Sequence, residues 1–286
     1  MLVIIGCIAL SYPTLSNIYN QSRNNILASS YNETVEELPE EDLSQMWQEA
    51  IEYNEQHEFN YIQDAFTDSE DYILTHPYDT LLNPMGNDIM GYLEVPKAGI
   101  ELPIYHGVGE EYLQKGCGHV EGTSLPIGGK STHTVIAGHN GLRGAQLFTH
   151  LDEMKEGDQF YIHIMDKVFA YEVDQVVIVL PEDISPLAIE PGKDLATLLT
   201  CTPYGANTHR VLVRGHRVPY IAGADESMDY SKWLDTRTII TLLAILIIVI
   251  AIIIIRRIRR RKQEKEARRK EEAKKVIEET AFREDV

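Results

Sequence analysis

The chain has 286 residues, 44% hydrophobic and 24% charged, which fits an ordinary globular core and bounds the molecule at one large or two small domains. A formal net charge of −18, from 44 Asp and Glu against 26 Lys and Arg, excludes a nucleic-acid binder, because phosphate backbones are held by basic side chains. Three cysteines, Cys7, Cys117 and Cys201, are too few for a disulfide framework; one Cys117–Cys201 bridge is the alternative to two free thiols in the polar part of the chain.

The N-terminal run MLVIIGCIAL is apolar, yet about half the length a membrane span needs. It also lacks the basic start of a signal peptide. Between residues 36 and 58, Leu43, Met46, Trp47, Ala50, Ile51 and Tyr53 recur at helical spacing behind an acidic first turn, which predicts an amphipathic helix packed on a core. The following stretch, QDAFTDSEDYILTHPYDTLLNPMGND, is rich in turn formers and has no period. Loops of that length inside compact domains often serve as lids.

From Ile89 onward the pattern changes to short strands. IMGYLEVP, GIELPIYHG, HTVIAG, QFYIHIM, VFAYEVDQVVIVL, LATLLTC and RVLVRGHR make seven candidates, separated by Gly- and Pro-bearing segments. The fold class expected is mainly β, a closed or nearly closed β barrel, with short helical pieces at 110–115 and 145–151. Residues 238–255, TIITLLAILIIVIAIIII, contain no charge and would reach about 27 Å as a helix. They predict a C-terminal transmembrane helix. RRIRRRK follows at once and marks the cytoplasmic side, so the chain before the span is expected outside the cell. The tail from Arg256 holds 13 basic and 8 acidic residues and alternates in sign, as a solvated helix does; the rest of the chain is then near −23, a charge that serves simple solubility or favours basic, lysine-bearing partners.

Within the barrel, two places gather chemistry. The apolar run 134–137 stops at Gly138-His139-Asn140-Gly141, a polar side chain at a strand end between glycines. Runs 195–201 and 210–217 flank eight residues with Pro203, Gly205 and Asn207, which predicts an antiparallel pair that sets Cys201 across from Arg210. A thiolate is a nucleophile, an imidazole moves protons near neutral pH, and a guanidinium stays charged and favours a nearby anion. Thr200 is placed to assist through its hydroxyl or backbone. His209 beside Arg210 is the rival base. Neither His119, His133, His209 nor His216 forms a metal-ligand cluster with Cys or acidic residues, so no metal or cofactor is expected.

TLLTC followed nine residues later by Arg, with AGH upstream, resembles the sortases of Gram-positive bacteria, most closely the pilus-assembling class C enzymes, over about Tyr12 to Tyr220. The resemblance implies a cysteine transpeptidase that cuts an LPXTG-like motif after Thr, forms a thioester on Cys201 and passes the acyl group to a lysine of another pilin subunit. His139 and Arg210 complete the catalytic set. It also implies a lid that plugs the site, with Asp64 and Phe66 matching its acidic and aromatic positions; Ala65 stands where the family usually has Pro, which frees φ and loosens the lid. His76-Pro77-Tyr78 is the second lid candidate. The same likeness, with Tyr12-Pro13 and Ser16-Asn17, implies that residues 1–12 are the end of a truncated hydrophobic segment. The organisation expected is therefore 1–12, an N-terminal helix and lid region at 36–88, a catalytic barrel at 89–222, the span at 238–255 and a tail at 256–286. The alternatives are a cell-wall-anchoring sortase using a glycine-type amine and a purely hydrolytic cysteine peptidase. A sortase substrate, which also ends in an apolar run and positive charge, is disfavoured because no LPXTG precedes the run.

Overall fold

The computed structural model describes residues 2–56, 78–142, 144–222 and 236–284. Asp64, Ala65 and Phe66 lie outside the described residues, as do His76 and Pro77. The chain divides into two compact units: one is Met1–Ser11 with Asp235–Val286, the other Tyr12–Leu234.

The first helix, α1, runs Leu2–Glu37. Along its length from Gln21, the residues turned to the interior are Gln21, Asn24, Ala28, Tyr31 and Val35, the three-and-four spacing of one helix face. The stripe is apolar only in its second half, so it carries no hydrophobic periodicity in its first. Tyr31 is the anchor of the apolar half. Its hydroxyl donates to the carbonyl of Met90 at 2.7 Å and accepts from the N–H of Met165 at 2.9 Å, which answers the polar atom of a buried ring.

Helix α2, Glu40–Gln56, opens on Glu40, Glu41 and Asp42, favourable charges at a helix N-terminus. Ala50 and Tyr53 are buried, and Leu43, Met46 and Trp47 pack against the core. Ile51, expected on that face, is exposed.

The barrel follows: β1 Ile89–Val95, β2 Ile100–His106, a single-turn helix α3 Glu110–Leu113, β3 Cys117–His119, β4 Thr132–Ala137, β5 Gln159–Ile164, β6 Lys167–Val179, β7 Asp194–Thr202 and β8 His209–Val218. The strands close in the order β1-β2-β3-β4-β7-β8-β6-β5. There are eight strands where seven were expected. The extra one, β3, has only three residues and so no alternation to read. Two pairings are parallel, β2 with β3 and β4 with β7; the rest are antiparallel.

Residues 145–151 are not the helix expected of them. Gly144 at φ +88° and Leu147 at φ +46° take left-handed backbone, and Leu142 and Ala145 form a bridge, so only Leu151–Glu153 turns as a short 3-10 helix. Cys117 and Cys201 are both buried, and no disulfide joins them. Cys117 donates to the Pro103 carbonyl at 3.3 Å, and burial pushes its thiol up.

Helix α4 spans Thr236–Glu284, through the apolar run and on into the charged tail. Among the described residues no helix is long and apolar enough to cross a membrane. The transmembrane helix expected at 238–255 therefore rests on the sequence and not on the structure.

A buried polar knot holds the residues around β3. His119 meets the Tyr78 hydroxyl through Nδ1 at 2.7 Å and the Ser124 carbonyl through Nε2 at 2.9 Å. The carbonyl fixes the hydrogen on Nε2, so Nδ1 accepts from Tyr78. Burial pushes His119 down to about 4, against the Ser124 hydrogen bond, which acts to raise it. Unfolded, the same ring takes a proton near 6.5. Between those values the unfolded chain binds the extra proton, so stability falls as pH drops through the window, by at most about 3 kcal/mol. Thermal unfolding from pH 6.5 to 4 should show this loss, and His119→Gln, which cannot take up the proton, should flatten the slope.

Candidate active site

Strand β8 lies between two neighbours. Arg210 pairs with Cys201 of β7 on one side and with Val179 of β6 on the other. Directly opposed residues of an antiparallel pair project to the same face, with Cβ atoms about 4.5–5.5 Å apart. Cys201 and Arg210 therefore share a face, and both are buried, at 5% and 7% exposure. Leu199 and Leu212, one pleat further along, belong to the same face. They sit in a small cluster with Val120, Val135, Ala137 and Leu187 that is separate from the main core. An apolar floor thus adjoins the thiol and the guanidinium.

A buried cation needs hydrogen-bond partners. Arg210 Nη1 donates to the carbonyl of Asn207 at 3.0 Å, in the turn that joins β7 to β8, and to that of His209 at 3.2 Å, the first residue of β8. Asn207 there takes φ +54°, a left-handed setting that Asn tolerates.

His139 follows β4, whose parallel pairing with β7 ends at Ala137 opposite Leu199. The residues on either side of His139 continue the attachment. Gly138 N–H donates to Leu199 O at 3.0 Å, and Asn140 Nδ2 donates to Cys201 O at 2.9 Å. Thr200 Oγ1 donates to Gly138 O at 2.7 Å. Three bonds bracket His139 and fasten it to the three residues ending in the cysteine. Gly138 is also pressed on the Phe148 ring, where a Cβ would come to 3.0 Å, so the turn admits no larger residue without displacing that ring. His139 Nε2 meets Glu110 Oε2 of α3 at 3.0 Å. The Gln114 hydrogen bond, and then His139, hold the Glu110 carboxyl below its usual range.

The structure thus brings Cys201, Arg210, Thr200 and the His139 turn to one end of β7 and β8. His209, the rival base, bonds its own neighbour Thr208 at 2.9 Å and lies across from Thr202. His119 and His133 are buried in structural bonds, the latter to Ala188 and Thr197. His216 lies 4.0 Å from Asp174. Among the described residues no group of His, Cys, Asp or Glu is arranged to hold a metal. Glu110 and Asn140 were not singled out from the sequence. Asn140 adjoins His139 and was within reach of that reading; Glu110 is 29 residues away and had no signal.

The sortase domain family matches residues 93–218. Among curated proteins, Sortase A of Streptococcus agalactiae is 31% identical over 145 residues, 49% of this chain and 58% of that protein, so the match spans little more than half the relative's length. Among solved structures, Sortase C of Streptococcus pneumoniae is 45% identical with a TM-score of 0.62, covering 68% of this chain and 97% of that one. Sortase C-1 of Actinomyces oris is 40% identical with a TM-score of 0.59, covering 63% and 99%.

The bond from Thr200 to Gly138 is buried, so Thr200→Val leaves a carbonyl short of its donor and should cost about 1–3 kcal/mol, while Thr200→Ser retains most of the stability. Denaturant unfolding of the two variants measures the difference.

Proposed function

The chain belongs to the sortase family, with class C pilus enzymes among its structural relatives, and from that premise we propose that it is a membrane-held cysteine transpeptidase that joins pilin subunits. The observation that carries the reading is the cross-strand pair Cys201 and Arg210 with a histidine turn bonded on both sides of it to the cysteine strand.

In this reading the Cys201 thiolate attacks the carbonyl carbon of the Thr in an LPXTG-like motif, and the carbonyl π electrons move to oxygen. Arg210 stabilises that oxyanion. Collapse re-forms the carbonyl and expels the amine, which takes a proton from His139, leaving a thioester on Cys201. A lysine amine of a second pilin attacks the thioester, gives its proton to His139 and releases the thiolate. The product is an isopeptide bond. The apolar floor of Val135, Ala137, Leu199 and Leu212 suits the apolar residues at the start of such a motif. No step needs a metal or cofactor.

Membrane attachment is supported by the uncharged run at 238–255, by the exposed side chains of Ile239, Leu246, Ile250 and Ile254 on α4, and by the basic cluster after it. That orientation puts the barrel outside the cell and the tail inside. The resemblance supports Asp64 and Phe66 as a removable cover over the site.

Incubation of the chain with a sorting-motif peptide and a lysine-bearing pilin domain tests the proposal. Cys201→Ala should abolish product, and Arg210→Ala should lower kcat by about 10²–10³. A thioester on Cys201 found by mass spectrometry supports the reading. Free carboxylate as the sole product with every amine supplied, glycine-type ones included, would replace it with a hydrolase. For the cover, Asp64→Ala or Phe66→Ala should raise the alkylation rate of Cys201, and unchanged rates in both remove it.

A further inference from the structure

The turn that carries His139 belongs to a closed loop. Phe148 N–H donates back to His139 O at 3.0 Å, and Leu142 and Ala145 exchange backbone bonds of 2.9 and 3.1 Å. One side of this loop is fastened to β7 by Gly138 and Asn140. The other side is gripped by the N-terminal helix α1. Asn17 Oδ1 accepts the N–H of Gln146 at 3.0 Å, and Asn20 Nδ2 donates to the carbonyl of Gly144 at 2.8 Å. Ser16 fills the space above Gly144, where an added Cβ would come within 2.6 Å of the Ser16 Cβ, and Gly144 holds φ +88°. Gln146 is tied in turn to Ala98 O through Nε2 at 3.2 Å.

The contact is unlike ordinary helix packing. Two amide side chains answer one backbone N–H and one backbone carbonyl two residues apart, each as the partner of opposite kind. Such a pair fixes where the loop backbone lies and how it is turned, which burial of apolar area alone does not. The side chains that do this share the inward side of α1 with Gln21 and Asn24, both buried. Neither asparagine touches the thiol, the imidazole or the guanidinium in any described bond.

We propose that Asn17 and Asn20 are positioning residues for His139: they hold the 144–146 side of the loop so that the imidazole stands correctly against Cys201, which makes docking of α1 a condition of catalysis. The proposal deepens the reading above and rests on His139 as the proton carrier. A displacement of about 1 Å at a reacting group can cost 10²-fold in rate. Loss of either asparagine leaves a backbone group without its partner and frees the loop to move.

The full chain tests this with two readouts: acylation by a sorting-motif peptide, and the pH profile of Cys201 alkylation by iodoacetamide, read at the Cys201 peptide by mass spectrometry. Asn17→Leu and Asn20→Leu should each lower the acylation kcat about tenfold with KM within about twofold. Both should move the alkylation profile in the direction that His139→Ala moves it. Asn17→Asp keeps the acceptor for Gln146 and should restore most of kcat. Ile18→Ala, on the exposed side of the same helix, should change neither readout. Asn17→Leu added to His139→Ala should give no further shift. Gly144→Ala displaces Ser16 from the loop side and should reproduce the leucine variants, so the contact is tested even where a leucine variant fails to fold. Wild-type kcat and profile in folded Asn17→Leu and Asn20→Leu would overturn the proposal, and so would a shift fully additive to His139→Ala. A profile that His139→Ala itself leaves unmoved would instead remove the role given to His139, which is a separate failure.

Discussion

The register between β7 and β8 is the constraint from which the site follows. Strand side chains alternate faces with a period of two, so a slip of one residue would turn Arg210 away from Cys201 and drive Leu212 off its apolar floor. The register is held from both edges, because β8 also pairs with β6, from Ala170 to Val179. The turn between the strands adds a third hold, since its Asn207 carbonyl, with that of His209 at the head of β8, receives the guanidinium that β8 carries. Backbone pairing thus fixes the side chain, and the side chain in turn braces the loop.

Burial on this face is finely divided. The main core fills the barrel with Leu198, Ala196, Val211 and Val213, while Leu199, Leu212, Val135 and Ala137 make the separate cluster on the other face of the same strands. A strand covered on both faces reads as a continuous apolar run, which is the pattern of β7, LATLLTC. Thr200 and Cys201, neighbours in sequence, therefore serve opposite faces. Thr200 turns to bond the carbonyl before His139, and Cys201 is left beside Arg210.

Much of this was legible in the sequence where local pattern decides structure. The hairpin of β7 and β8, with Cys201 opposite Arg210, needed only two strand-forming runs and a turn between them. The remaining misses share a cause. Strand β3 is too short for periodicity, and its parallel pairing with β2 is announced by no hairpin turn. Helix α1 was read only as an apolar start because its buried stripe changes from Gln21 and Asn24 to Ala28, Tyr31 and Val35, and a hydrophobic-face criterion sees only the second half. Residues 145–151 had helical composition, yet Gly144 and Leu147 adopt left-handed backbone to bring Phe148 back to His139. Glu110 reaches His139 only through the closure of the barrel, and a single sequence carries no mark of such an approach.

The histidine differs from the other two groups in how it is held. Cys201 and Arg210 lie in strands whose pairing is continuous, so their spacing is as rigid as the barrel. His139 lies two residues beyond the last paired residue of β4, in a loop with several left-handed positions, and each of its tethers is an individual hydrogen bond worth about 0.5–1.5 kcal/mol. Such bonds act together only while every partner stays in place. The loop is fastened by Thr200 and Asn140 from the strand side, by Asn17 and Asn20 from the helix side and by Glu110 at the ring itself. A site assembled from one rigid pair and one tethered member has a natural point of control, because a perturbation too small to disturb a strand ladder suffices to move the tethered member. The histidine is therefore the part of this site most exposed to influence from the rest of the chain.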